Sequence, residues 1–257
     1  MMKKSILFFM LILMSASVYS QEKKIKDVRT NPNVYFLQID EVANSLKLLP
    51  PPPQPGSIAF SNDEDRYQWG KAQRDTPRGD QASAEAHLSG NGVPDAFSEA
   101  FGIKISPETT PKIYNLVVKM REDAGDLATR AAKQYYMRTR PFAYYNEMTC
   151  NPEQQEELST NGSYPSGHTA IGWATALVLS EINIDRQNEI LIRGFEIGQS
   201  RVICGYHWQS DVDAARVVSS AVVARLHANK QFTKQLKKAK KEFRRLNRKG
   251  LVKKSTM

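Results

Sequence analysis

The chain has 257 residues, 40% of them hydrophobic and 25% charged, with a formal net charge of +9. That is length enough for one substantial core, and the composition is that of an ordinary globular protein, which excludes a disordered or fibrous chain. The charge is unevenly placed: residues 230–254 hold nine Lys, three Arg and one Glu, a net +11, whereas the rest of the chain beyond residue 20 is near −4, so the basic character belongs to a tail and not to the body.

Residues 1–20 read as a secretion signal, with Lys3 and Lys4 at the start, an apolar run over residues 6–14, and Val18 and Ser20 placed for cleavage before Gln21. The run is too short to span a bilayer, and no later segment is long and apolar enough to do so. The mature protein is therefore expected to be exported, to the periplasm on this reading, without stable membrane insertion. Export bears on the two cysteines, Cys150 and Cys204. An oxidising compartment favours one disulfide between them over two buried free thiols.

Residues 21–56 form a polar lead and a strap, in which Leu48-Leu49 runs into Pro50 to Pro53 and Pro55-Gly56, a stiff extended segment expected to lie over the body. Residues 57–230 read as a helical core. Helices are predicted over residues 59–74 and 81–88, broken by Thr76-Pro77 and Gly90-Asn91-Gly92. Two helical stretches follow over residues 111–137, with Ile113, Leu116, Val117 and Met120 at helical spacing, and Pro141 ends them. Residues 150–162 are a polar loop with a short helix. Residues 167–181, 185–199 and 208–230 are three further helices. Alternating runs of strand type are few, so the fold class is all-α: a single-domain helical bundle with a buried central helix pair. Residues 231–257 form a basic C-terminal helix and tail, with Phe232, Leu236, Phe243 and Leu246 near helical spacing. Packing along the body is the reading preferred for it; contact with an anionic surface is the other.

Three short clusters carry the chemistry. Lys133 and Arg140 stand seven residues apart, close to two helical turns, so both side chains can leave one face before Pro141 stops the helix. A point charge and a planar fork together suit a phosphate. Pro165-Ser166-Gly167-His168 opens a helix: Ser166 can cap it, Gly167 lets backbone approach a ligand, and the positive helix end favours an anion beside His168. In the third cluster, Ser200-Arg201 leads to His207 and on to Asp211 at i+4. The Asp211 carboxylate can accept the Nδ1–H of His207, which leaves Nε2 with a free lone pair for attack. Three cations and backbone donors can neutralise a phosphoryl group without metal, and no other cluster has convincing ligand spacing, so neither metal nor cofactor is expected. His87 and His227 read as surface or helix-terminal residues.

Taken together, Lys133-x6-Arg140-Pro141, Pro165-Ser166-Gly167-His168 and Ser200-Arg201-x5-His207-x3-Asp211 resemble the signature of the phosphatidic acid phosphatase type 2 (PAP2) superfamily. The longer strings Gly162 to Thr169 (GSYPSGHT) and Ser200 to Val212 (SRVICGYHWQSDV) are similar to those of the bacterial class A non-specific acid phosphatases. The proline run and Asp123-Ala124-Gly125-Asp126-Leu127-Ala128-Thr129 add to that resemblance, which covers most of residues 45–245. It implies an all-α PAP2-like fold and a division of labour. His207 is the nucleophile that becomes phosphohistidine, and Asp211 orients it. His168 protonates the leaving oxygen and then helps activate water. Lys133, Arg140, Arg201, Ser166 and the Gly167 amide bind phosphoryl oxygens.

The expected activity is broad-range acid phosphatase action on small-molecule phosphomonoesters, with phosphoryl transfer to alcohols as a side reaction. Free imidazole titrates near about 6.5, so a protonated His168 beside an unprotonated His207 nitrogen favours acid pH. The alternative within the same chemistry is apyrase-like hydrolysis of nucleoside di- and triphosphates. A different class is a non-enzymatic anion-binding module built on the basic tail. The resemblance implies a homodimer; nucleic acid is not an expected partner.

Overall fold

A computed structural model describes residues 31–88 and 90–255. The predicted signal, residues 1–20, lies outside the described residues, as does the beginning of the polar lead. Helices account for nearly all of the regular structure, and no strand occurs among the described residues. The short α1 (Ser45–Leu48) is capped by the Asn44 side chain and precedes the proline run. That run is extended and lies on the body: the Pro50 carbonyl accepts from the Tyr164 hydroxyl at 2.8 Å.

Helices α2 (Ile58–Ala72) and α3 (Pro77–Ala84) follow. The break expected at Thr76-Pro77 is the start of α3, since Thr76 caps the amide of Gly79 and Pro77 occupies the first turn, where no N–H is needed. Helix α4 (Gly92–Phe101) was not predicted; its first residue belongs to a Gly-Asn-Gly segment whose composition signals a turn. Next come α5 (Pro111–Glu122), a wide π turn at Asp123–Leu127, and α6 (Arg130–Tyr136). Met137, with φ +42°, ends α6. The short α7 (Pro141–Tyr145) and α8 (Gln155–Ser159) lead to the three long helices α9 (Gly167–Ile182), α10 (Gln187–Ile203) and α11 (Gln209–His227), and α12 (Lys230–Arg248) closes the chain.

The architecture is the all-α bundle expected, with α9 at its centre. Helix α9 packs on both α10 and α11. Its Ala170, Ala174, Ala176, Val178 and Leu179 are completely buried, because small and aliphatic residues occur on nearly every side of it. Two glycines set the distance to α10: a Cβ on Gly194 would stand 2.4 Å from that of Ala176, and one on Gly172 would stand 2.8 Å from Ile197. Helix α12 lays Phe232, Leu236, Phe243 and Leu246 against this core. Its Glu242 turns inward, where Oε2 accepts the amides of Lys112 and Ile113 at 2.9 and 3.1 Å and so satisfies the first turn of α5.

Candidate active site

The start of α9 and the end of α5 meet at one end of the bundle. Gly167 lies so close to the π turn that an added Cβ would stand 3.2 Å from the Gly125 carbonyl oxygen. A cleft of about 680 Å³ opens there, lined among others by Lys133, Arg140, Gly167, His168, Arg201 and His207. Six of the eight predicted catalytic and phosphate-binding residues thus share one cavity wall.

His207 is buried in the loop before α11. Its Nε2 lies 3.0 Å from Nη1 of Arg140. A guanidinium only donates, so Nε2 carries the lone pair and the ring proton sits on Nδ1. On that other side the Ser163 hydroxyl is 3.1 Å from Nδ1 and 2.5 Å from Oδ2 of Asp211. The Nδ1–Oδ2 distance itself is 3.5 Å. Direct Nδ1–H donation to Asp211, as read from the i+4 spacing, is therefore replaced by a serine relay. The reason is that α11 begins only at Gln209: Asp211 is the third residue of the helix and bends back to cap the Trp208 amide at 2.8 Å.

Asp211 is in turn held by Arg138, whose Nη1 donates to Oδ1 at 2.6 Å while Nη2 donates to Asp63 Oδ2 at 2.7 Å. Both carboxylates are fully buried. Sequence reasoning missed Ser163, Arg138 and Asp63. The first two lay within or between the quoted motifs, but Asp63 is on α2 and only the fold brings it near.

Lys133 and Arg140 do not leave one helical face. Met137 terminates α6, and Arg140 is the extended residue before Pro141 (φ −75°, ψ 152°), which opens α7. Proline disfavours helical backbone at the residue before it, so the helix had to break between the two cations. They still converge: Lys133 Nζ donates to the Gly162 carbonyl at 2.9 Å, and Arg140 Nε donates to the carbonyls of Leu158 and Asn161. Arg201 comes from α10. Its guanidinium lies 3.9 Å above the Tyr206 ring, and its buried Nε and Nη1 have no hydrogen-bond partner among the described residues. Two unpartnered cationic N–H groups on a residue that lines the cleft are suited to an anion.

Ser166 caps α9, as its place before Gly167 suggested. Its hydroxyl accepts from the Thr169 amide at 3.3 Å and hydroxyl at 2.9 Å, and it does not line the cleft. His168 is half-buried at the mouth, where its Nε2 donates to the Ala86 carbonyl at 3.0 Å. Any second proton on this ring therefore goes to Nδ1. Ala86 packs with Ile203, Cys204 and Tyr206 around the Cys150–Cys204 disulfide, which is formed, with Cα atoms 4.9 Å apart. Of the other histidines, His227 pairs with Glu181 at 3.2 Å, and His87 is exposed beside a neighbouring cleft of about 320 Å³.

Charge and burial act together on this site. Burial, then Arg140 and Lys133, holds His207 well below the ordinary histidine range. Burial, then Arg201 and His207, does the same to His168. Burial and the nearby Arg140 bring Lys133 down to about 7. Each shift reflects burial first and neighbouring positive charge second, and a bound dianion would relieve the second. No group of three or more His, Cys, Asp or Glu with metal-holding geometry occurs among the described residues.

The profile of the PAP2 superfamily matches residues 124–234. A non-specific acid phosphatase of Providencia stuartii is 58% identical over 234 residues, which cover 91% of this chain and 94% of the relative. One of Salmonella typhimurium is 46% identical over 208 residues, covering 81% and 83%. An acid phosphatase of Zymomonas mobilis is 34% identical over 202 residues, covering 78% and 76%.

Proposed function

The chain belongs to the bacterial class A non-specific acid phosphatases of the PAP2 superfamily and is a phosphatase; from that premise we propose that it hydrolyses a broad range of phosphomonoesters through a phosphohistidine on His207, without metal. The observation that carries this reading is the pairing of a lone pair on His207 Nε2 with the unpartnered N–H groups of Arg201 across one cleft.

In the first step the Nε2 lone pair attacks phosphorus, the N–P bond forms and the P–O bond to the leaving group breaks. Protonated His168 gives its Nδ1 proton to the departing oxygen. In the second step water attacks phosphorus, His168 takes the water proton, and the N–P bond breaks to restore the neutral His207 ring. Lys133, Arg140, Arg201 and the Gly167 amide hold the phosphoryl oxygens through both steps. Arg140 gives up its bond to Nε2 as the substrate arrives. Ser166 contributes chiefly by fixing the start of α9, and its hydroxyl reaches substrate only by leaving Thr169. An alcohol that fits the cleft can replace the water, which gives phosphotransfer. Export to the periplasm, expected from residues 1–20, accords with the disulfide.

The test is hydrolysis of a chromogenic aryl phosphate with excess chelator, in wild type and His207→Ala. Chelator-resistant turnover that vanishes in the variant, with label trapped on His207 after an alkaline denaturing quench (phosphohistidine is acid-labile), is the expected result. Loss of activity with chelator, or label elsewhere, overturns it. A second reading, attack on nucleoside di- and triphosphates, draws support from the neighbouring cleft with Arg121 and His87 on its wall. Phosphate release from ATP at a rate matching or exceeding that from a monophosphate would favour it.

A further inference from the structure

Helix α12 carries more positive charge than its place in the bundle requires. Lys234, Lys237, Lys238, Lys241, Arg245 and Arg248 are all exposed. The one carboxylate of the helix, Glu242, faces inward and is occupied by the first turn of α5. Like charges stand four residues apart at Lys234/Lys238, Lys237/Lys241, Lys241/Arg245 and again beyond, and such pairs repel along a helix. Packing explains the inward face, with Phe232, Leu236, Ala239 and Phe243 buried. It leaves the outward face unexplained.

That face has three further properties. It extends on the order of 28 Å, at about 1.5 Å per residue, with an open depression of about 470 Å³ lined by Lys230, Lys234, Lys237, Lys238 and Lys241. The aromatic residues of the helix, Phe232 and Phe243, are both buried, so the outward side offers no ring on which a base could stack. The C-terminal half of the helix also lies away from the catalytic mouth, while its start, at Phe232, packs against Phe36, whose amide bonds Asp123. Helix α12 touches α5 at its first residues, through Lys112 and Ile113, and α9 at its last turn, where Lys240 meets Glu181 at 2.6 Å. The mouth is at the opposite ends of both helices, at Glu122 and at Gly167 and His168.

We infer that the outward face of α12 is a docking surface for an anionic lipid bilayer. It adsorbs peripherally through diffuse attraction between lysines and headgroups, with no inserted side chain. A planar anionic surface suits an extended row of point charges, whereas a single nucleic acid strand is gripped through stacking platforms that this face lacks. No residue of α12 lines the cleft, so a protein docked in this way leaves it free for soluble phosphomonoesters.

The experiment is co-sedimentation of the full chain, and of the same chain begun at Gln21 so that residues 6–14 cannot carry the result. The vesicles are phosphatidylcholine, with and without 30 mol% phosphatidylglycerol as the probe. The comparison protein carries Lys234→Gln, Lys238→Gln, Lys241→Gln and Arg245→Gln, positions outside the active site. Wild type should bind the anionic vesicles, fail on neutral ones, and be released by about 0.5 M salt, where screening is short-ranged. The variant should lose about two to three orders of magnitude in apparent affinity, at about fivefold per cation. Its hydrolysis of an aryl phosphate and its thermal midpoint should be unchanged, which shows that the fold is intact. Equal binding of variant and wild type, equal binding to neutral vesicles, or tighter binding to a single-stranded polynucleotide than to anionic vesicles at matched charge would overturn the inference.

Discussion

Asp211 meets His207 by way of the Ser163 hydroxyl, which stands 2.5 Å from the carboxylate and 3.1 Å from the imidazole. The proton order is fixed from both ends. Arg140 can only donate to Nε2, so Nδ1–H donates to Ser163 and Ser163 donates to Asp211. Ser163→Ala should lower kcat by about 10- to 100-fold, the range seen when an outer partner of a functional histidine is lost, with KM little changed. Steady-state kinetics on an aryl phosphate checks this. A purely structural role for Ser163 would instead lower the fraction of active enzyme and leave kcat per active site intact.

Arg138 spans two fully buried carboxylates, Asp63 and Asp211. Removing it leaves two uncompensated charges, so Arg138→Leu should destabilise the protein by about 3–5 kcal/mol. Asp63→Asn, which keeps the hydrogen-bonding shape, should cost less. Urea unfolding of the three proteins measures the ordering.

Arg201 should be hard to replace. Its planar group lies on Tyr206, and two of its N–H groups are unpartnered. Arg201→Ala should cost about 10²–10³-fold in kcat/KM, as for loss of one preorganised donor. Arg201→Lys should recover little of this, because lysine has neither the plane nor the fork.

The pH dependence follows from the buried cations. His168 and His207 are both held below the free value of about 6.5. The unfolded chain therefore takes up these protons first. Their contribution to stability is complete above about pH 6.5 and is lost as pH falls toward the folded values. Asp123 works in the opposite sense: burial raises it to about 6, and its contribution grows as pH falls through that value. Inorganic phosphate should thus raise the thermal midpoint more at pH 5.5 than at pH 7.5, and Asp123→Asn should steepen the acid loss of the free enzyme. In activity, Lys133 sheds its proton as pH rises through about 7, so kcat/KM should decline there in wild type. Lys133→Met should be less active and should lack that decline.

The disulfide closes a loop with a sequence separation of 54. Chain entropy assigns it about 4 kcal/mol. Because Cys204 packs with Ala86, whose carbonyl holds His168, the Cys150→Ser, Cys204→Ser variant should lose kcat as well as stability. Thermal melts and kinetics at a temperature where the variant remains folded separate the two effects.

Motif spacing made Lys133, Arg140, Gly167, His168, Arg201 and His207 legible, and all six line one cleft. Helical periodicity also made α9, α10 and α11 legible, since each buries apolar residues at that spacing. Local geometry was less readable. Counting residues from Lys133 to Arg140 suggested one continuous face, but a left-handed Met137 and a proline divide them. Spacing of four from His207 to Asp211 suggested a helical pair, but the helix begins two residues after His207. Asp63 and Ala86 had no local mark, because one acts through a partner 75 residues away and the other through its backbone, 82 residues from His168. Pairings at that range exist only once the bundle is assembled.

Glu242 has a bearing on how the molecule comes into being. The opening amides of α5 find their acceptor in a side chain 130 and 129 positions further along. During synthesis, or passage through a narrow channel, that acceptor arrives after every residue of the catalytic cleft has gone by. The end of the bundle remote from the cleft therefore stays unsealed until α12 docks, and the native assembly locks from the C-terminal side inward. Shortening the chain before Glu242 would thus unseat α5 along with the charged face, and side-chain substitutions rather than truncations are the way to separate the two.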